Sequence, residues 1–147
     1  MERRKLLQAG LQLGLAAVVF PRTVLGAYPT KAFLSREASD ALKEVFGTTD
    51  IGESDQIRIE APLIASDRDM VPVRVSSGLE NTESIALVVA ENATPFTAYF
   101  RLHEPQGFVS TRIRMTGTSE LLVVVKADGV LHTSKLSIRV SDEGCGA

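Results

Sequence analysis

The 147-residue sequence has a single cysteine, two histidines and no tryptophan. One cysteine excludes a disulfide within the chain. One cysteine and two histidines also cannot build a conventional four-ligand structural zinc site. No metal and no cofactor is therefore expected. Aromatic residues make up only 5% of the chain, too few for the stacking platforms that hold single-stranded nucleic acid. Basic residues are not in excess: 16 Lys and Arg face 18 Asp and Glu, for a formal charge of −2. Nothing offsets a phosphate backbone, so nucleic-acid binding is not expected. What is present is the composition of a folded globular protein, 44% hydrophobic and 23% charged. The length suits one ordinary domain.

Residues 1–27 read as an address label rather than part of the fold. Arg3, Arg4 and Lys5 form a positive start, and an apolar stretch follows over residues 6–20. Gln8, Gly10, Gln12 and Gly14 interrupt it. It is short and weakly apolar for a membrane span, which needs about 20 residues. Val24-Leu25-Gly26-Ala27 supplies the small residues of a cleavage site, after Gly26 or Ala27. Arg3-Arg4 followed by Lys5-Leu6-Leu7-Gln8 resembles the twin-arginine export signal. The expected destination is the periplasm, reached by that route. No cysteine sits at the cleavage site, so a lipoprotein anchor is not expected. Removal of Arg3, Arg4, Lys5 and Arg22 with Glu2 takes the formal charge from −2 to about −5. That charge disfavours an anionic membrane surface.

Beyond the leader, the pattern predicts one helix and then strands to the end. Phe33, Ala38, Leu42, Val45 and Phe46 give a broad apolar stripe over residues 33–46. Ser35 is the expected N-cap and Gly47 the C-terminal stop. Residues 48–54 are polar and read as a loop. From Gln56 the period switches to two. Alternating runs occupy residues 57–61, 71–75, 85–89, 96–102, 109–115 and 135–140. Residues 121–125 are apolar throughout and so are expected to be buried on both faces. Asp128-Gly129 is a strong hairpin signal, because a type I′ turn needs positive φ at both central positions. Pro72 stands on an outward position, which marks its strand as an expected sheet edge. About seven short strands at this spacing predict an all-β fold, an immunoglobulin-like antiparallel β-sandwich preceded by one helix that packs on it.

Few residues carry an obvious chemistry. His103 and His132 have no second ligand or carboxylate partner at a useful spacing and read as surface or strand-edge histidines. Arg112 and Arg114 share one strand face, and Arg101 and Arg139 also point outward. These form either a solvated sheet face or a cationic patch for an acidic partner or a small oxyanion. Asn92-Ala93-Thr94 matches a glycosylation sequon, but Pro95 follows it. No catalytic residue is expected.

Cys145 stands apart. It sits between Gly144 and Gly146, past the last apolar strand residue Val140, in Ser141-Asp142-Glu143-Gly144-Cys145-Gly146-Ala147. Free cysteine is usually a small buried hydrophobe. Here too little chain follows to cover it, and its glycine neighbours carry no side chains to shield the sulfur. An extended arm would carry the thiol about 17 Å from Val140. Asp142, Glu143 and the carboxylate at Ala147 are like charges toward a thiolate. At ~7 Å in water each costs roughly 0.6 kcal/mol before screening. They hold the thiol at or above its usual range, the reverse of what a nucleophilic enzyme needs. The pattern fits a passive attachment point, presented to the active sites of other proteins.

At this point the sequence resembles the SoxY family, the sulfur-carrying subunits of thiosulfate-oxidising Sox systems. The resemblance includes the leader, Val45-Phe46-Gly47, the run from Ile59 through Glu60, Ala61, Pro62, Leu63 and Ile64 to Ala65, and Val71-Pro72-Val73. It continues through Glu91-Asn92 to Pro95, Phe100-Arg101-Leu102, Thr111-Arg112-Ile113-Arg114-Met115 and the cysteine-bearing end. Family members typically end Gly-Gly-Cys-Gly-Gly; Gly144, Cys145 and Gly146 match, while Glu143 and Ala147 depart. The resemblance implies that Cys145 holds sulfur intermediates covalently. It also implies a heterodimer with a SoxZ-like subunit. Transient partners would be the c-type cytochrome SoxAX, which attaches thiosulfate, the hydrolase SoxB, which releases sulfate, and the sulfane dehydrogenase SoxCD. The expected layout is a signal over residues 1–27, a helix-plus-sandwich domain over 28–140 and a flexible arm over 141–147. Two other readings compete with a carrier: a secreted binding module whose cysteine forms only an intermolecular disulfide, and a thiol enzyme such as a sulfurtransferase.

Overall fold

The computed structural model describes residues 28–103 and 106–141. Among the described residues the chain forms two short helices, α1 (Thr30–Leu34) and α2 (Ala38–Phe46). Nine strands follow: β1 (Gly52–Glu53), β2 (Ile57–Glu60), β3 (Ile64–Ala65), β4 (Val71–Ser77), β5 (Thr82–Val89), β6 (Phe96–Arg101), β7 (Gly107–Ile113), β8 (Ser119–Ala127) and β9 (Val130–Val140). The larger sheet has the order β1-β9-β8-β5-β6, with β3 also on β9. The smaller sheet has the order β2-β4-β7. The two sheets face each other across the main core, as the sandwich expectation requires.

The helical segment differs from its expectation: there are two helices, not one over residues 33–46. At 3.6 residues per turn, Phe33 and Leu42 would lie about 180° apart on a single helix. The break lets both reach the same sheet. Ser35 is accordingly not an N-cap but ends α1; its hydroxyl donates back to the Lys31 carbonyl at 3.1 Å. Glu37 precedes α2 with no side-chain cap. Gly47 ends α2 in the left-handed conformation, with φ 75°, the geometry that favours glycine there.

Two cores result. Val71, Val73 and Val75 of β4 meet Ile85, Leu87, Val89, Leu121, Val123 and Val125 between the sheets. On the other face of the larger sheet, Ala86, Val88, Phe96 and Val124 pack beneath Ala32, Ala41 and Leu42. Coverage of both faces explains why residues 121–125 read as a continuous apolar run; residues 85–89, expected to alternate, are buried on both faces as well, with Ala86 and Val88 on the helix side. Aromatic rings pin the helices down. Phe33 meets Phe96 edge-on at 4.8 Å and stacks on Tyr28 at 5.0 Å. Phe46 meets Tyr99 at 6.1 Å.

The Asp128-Gly129 hairpin joins β8 to β9, with φ of 49° and 73°. Two further strand expectations need correction. Residues 48–54 are not all loop, because β1 pairs with β9 in parallel through Gly52↔His132 and Glu53↔Thr133. β3 also joins β9 in parallel, so the sandwich is not purely antiparallel. Each of these strands is two residues long, too short to show a period.

The strand carrying Pro72 is not an edge. β4 lies between β2 and β7. Its β2 ladder, however, covers only Arg74 to Ser77. Pro72 lies past the end of β2, where a missing N–H leaves no sheet hydrogen bond unmade.

Gly107 marks a close approach at the start of β7. A Cβ there would fall 2.6 Å from the Ser77 Cβ and 3.2 Å from the Thr82 Cβ. Those two side chains share a 2.9 Å hydrogen bond, so neither moves freely. Gly107→Ala is therefore expected to destabilise the fold by about 1–3 kcal/mol. Urea unfolding followed by circular dichroism measures it, and an unchanged midpoint would contradict this packing.

Candidate functional site

The residues singled out for chemistry, Gly144, Cys145 and Gly146, lie outside the described residues. What the structure defines is the root from which that segment continues. Ile138 and Val140 are buried in the main core and fix the last turns of the β9 pleat. Along one side, β3 runs parallel to β9 with Ile64↔Arg139 and Ala65↔Val140 in register. The Arg139 N–H donates to the Leu63 carbonyl at 2.9 Å, and the Ser141 N–H donates to the Ala65 carbonyl at 3.0 Å. The Ser141 hydroxyl reaches the same Ala65 carbonyl at 3.3 Å. From the other side, the Thr118 hydroxyl accepts from the Val140 N–H at 3.0 Å.

Backbone is thus held on both sides up to Ser141. Cys145 lies four residues further along the chain. Four residues span at most about 14 Å. The reach of the thiol is set from a fixed point rather than from a fraying strand end.

The loops around the root are cross-linked to one another. The Asn92 side chain donates to the Arg114 carbonyl at 2.8 Å and accepts from the Thr116 N–H at 2.9 Å. The amide nitrogen of the sequon is therefore committed to the fold. Arg114 pairs with Asp69 at 2.9 Å, and the Met115 N–H donates to the Arg68 carbonyl at 2.8 Å. These contacts tie the 66–70 loop to the chain after β7. Three apolar side chains on the segment leading to β4 are left exposed: Leu63 at 65%, Ile64 at 61% and Met70 at 51%. Leu63 and Ile64 flank β9 beside Arg139, next to the root.

The other candidates are dispersed. His103 is exposed, and His132 is half-buried on β9, opposite Val125 of β8. Arg101, Arg112 and Arg139 are exposed on three different strands. Arg112 lies on β7, whereas Arg114 lies just past its end and is engaged by Asp69. Among the described residues no group of three or more His, Cys, Asp or Glu side chains is placed to hold a metal. Sequence reading missed the root clamp made by β3 and Thr118. Its only trace was the stretch Leu63-Ile64-Ala65, noted for the family resemblance and not for pairing.

Comparison with known proteins agrees with this architecture. The family described as "Sulfur oxidation protein SoxY" matches residues 42–145. No curated protein matches the chain in sequence. Among solved structures, the sulfur carrier protein SoxY from Chlorobium limicola f thiosulfatophilum superposes with a TM-score of 0.65 at 34% identity. The match covers 71% of this chain and 96% of that one. With the family match spanning most of the sequence and reaching the cysteine-bearing end, the chain belongs to the SoxY family of sulfur oxidation proteins.

Proposed function

We propose that this protein carries sulfur intermediates of thiosulfate oxidation as covalent adducts of Cys145 and presents them to partner enzymes. The observation that carries this reading is that the family match runs through residue 145, the position of the one cysteine in the chain. The similar structure from Chlorobium limicola f thiosulfatophilum is itself titled a sulfur carrier protein. The anchored root supports the same reading, since a carrier needs its load presented from a stable body.

The chemistry balances as follows. Loading joins the Cys145 sulfur to the outer sulfur of thiosulfate. The thiol loses its proton, and two electrons pass to an oxidant, the role suited to a SoxAX-type cytochrome. The product is a cysteine S-thiosulfonate. A SoxB-type hydrolase then adds water across the bond to the terminal sulfonate, releasing sulfate and leaving a persulfide on Cys145. SoxCD-type oxidation would act on that remaining sulfur. Nothing in these steps asks this chain to supply a base or a metal. It acts as a carrier, not as a catalyst.

The same reading places the protein in the periplasm in a one-to-one complex with a SoxZ-like subunit. A folded pair could cross the membrane on a single twin-arginine leader.

Two outcomes are expected. Cys145→Ser lies past the anchored end of β9, so its effect on stability should be below about 0.5 kcal/mol, as for surface substitutions. Thiosulfate-dependent electron transfer in a reconstituted system should vanish, because serine cannot form a sulfur–sulfur bond. Full thiosulfate oxidation by the variant would sink the proposal. Separately, replacing Arg3 and Arg4 with lysine should leave the precursor in the cytoplasm, as read by cell fractionation. Undiminished periplasmic accumulation would show that another route reads the leader.

A further inference from the structure

Between the segment leading into α1, α2 and the edge strand β6, the fold leaves a recess of about 410 Å³, within the size range of small-molecule sites. Tyr28 and Lys31 line one side, Glu44 and Val45 of α2 another, and Tyr99 and Arg101 of β6 the third. Tyr28 and Lys31 precede the family match, which starts at residue 42. The recess therefore does not follow from family membership. Both tyrosine rings are held in place. Tyr28 lies parallel to Phe33, which in turn stands edge-on to Phe96. The Thr30 N–H donates to the Tyr28 carbonyl at 2.8 Å. Tyr99 is flanked by Phe46 at 6.1 Å and by Phe96 at 6.2 Å. The apolar walls are thus formed before any ligand arrives.

The charges select the ligand. Arg101 is exposed and has no ion-pair partner among the described residues. Lys31 reaches Glu44 only at 4.0 Å, an exposed contact of little energy. One carboxylate against two cations leaves a single positive charge, which suits a monoanion. A guanidinium presents two parallel N–H donors, the geometry that a carboxylate accepts. A second observation points to the same spot. The Leu102 N–H donates to the Glu83 carbonyl at 2.9 Å. Ser84↔Arg101 is therefore a non-hydrogen-bonded pair of the β5–β6 ladder, the kind whose side chains stand closest. Ile85 packs in the main core, so Ser84 and Arg101 both face the helix side. The Ser84 hydroxyl is buried and has no hydrogen-bond partner among the described residues. Buried hydroxyls usually have one, and this one stands beside the guanidinium that would seat an anion.

We propose that this recess binds a small aromatic monocarboxylate. Its carboxylate sits on Arg101, and its ring packs against Tyr28, Val45 and Tyr99. Aromatic pairs gain beyond the area they bury, so the ring contributes as well as the charge. A neutral ring would leave Arg101 unanswered. A bare carboxylate would leave the tyrosine walls uncovered. Glu44 opposes a second negative charge, which disfavours inorganic dianions. This inference does not rest on the carrier reading.

The test titrates benzoate into the full chain carrying Cys145→Ser, which prevents disulfide formation, and follows the nuclear magnetic resonance spectrum. Saturable shifts are expected at Tyr28, Lys31, Val45, Tyr99 and Arg101, with a millimolar Kd. Benzyl alcohol and acetate are each expected to bind at least about tenfold more weakly, since each loses one of the two contacts. Arg101→Gln, an exposed change, is expected to raise the benzoate Kd about tenfold. Arg112→Gln, also exposed but on the smaller sheet, is expected to leave it unchanged. The proposal is overturned if benzoate gives no saturable shift, or shifts scattered over the surface. It is also overturned if acetate or benzyl alcohol binds as tightly as benzoate, or if Arg101→Gln binds benzoate like the parent chain.

Discussion

Everything in this structure depends on β9 being held along its whole length. The strand is committed on both faces, on one side by β8 over most of its length and on the other toward its two ends. Leu131 packs under the helices on one face of the larger sheet. Ile138 and Val140, at the other end, are buried on the opposite face against the smaller sheet. β8 bonds to it from Ala127↔Val130 to Ser119↔Ile138, and the short parallel strands β1 and β3 pair with its other side at His132–Thr133 and Arg139–Val140. Such a strand cannot be released in part without opening one of the two cores. Amides near the middle of β9 should therefore belong to the most stable cooperative unit of the domain.

That constraint divides the molecule into a body and a point of attachment. The body supplies stability through apolar burial in two cores. Its ion pairs are exposed, and Arg114–Asp69 at 2.9 Å has its use in geometry rather than stability. It holds the 66–70 loop beside the root of the C-terminal segment, where Asn92 and Thr118 add their hydrogen bonds. The proposed function assigns the reactive chemistry to one sulfur, four residues past Ser141. Glycines on both sides leave that sulfur without neighbouring side chains. A carrier benefits from this separation, because its load must enter sites on other proteins while the fold stays unchanged.

Much of the fold was legible in the sequence, and the reasons differ by element. Val71, Val73 and Val75 alternate with polar residues because only one face of β4 is buried. The run Leu121 to Val125 is continuous because both faces of β8 are covered. Asp128-Gly129 announced its turn because few residues tolerate two successive positive φ values. The helix break at Ser35 was hidden, since an apolar count over residues 33–46 ignores the angle at which Phe33 projects. β1 and β3 were hidden because two residues have no period and their partner is distant in sequence. The edge assignment at Pro72 failed because a proline reports the bonding of one residue, not of a whole strand. Cys145 was singled out for a different reason, its glycine neighbours and its position in the sequence past the last core residue Val140, and it lies outside the described residues.

The measurement that bears most directly on the proposed carrier role is intact-mass spectrometry of the protein during thiosulfate oxidation with the proposed partner enzymes. Peptide mapping then assigns any added mass to a residue. The account expects successive adducts, first the mass of a bound thiosulfonate and then of a persulfide, all removed by a thiol reductant and all located on Cys145. A protein that turns over thiosulfate while Cys145 stays unmodified, or forms only a disulfide-linked dimer, would contradict it.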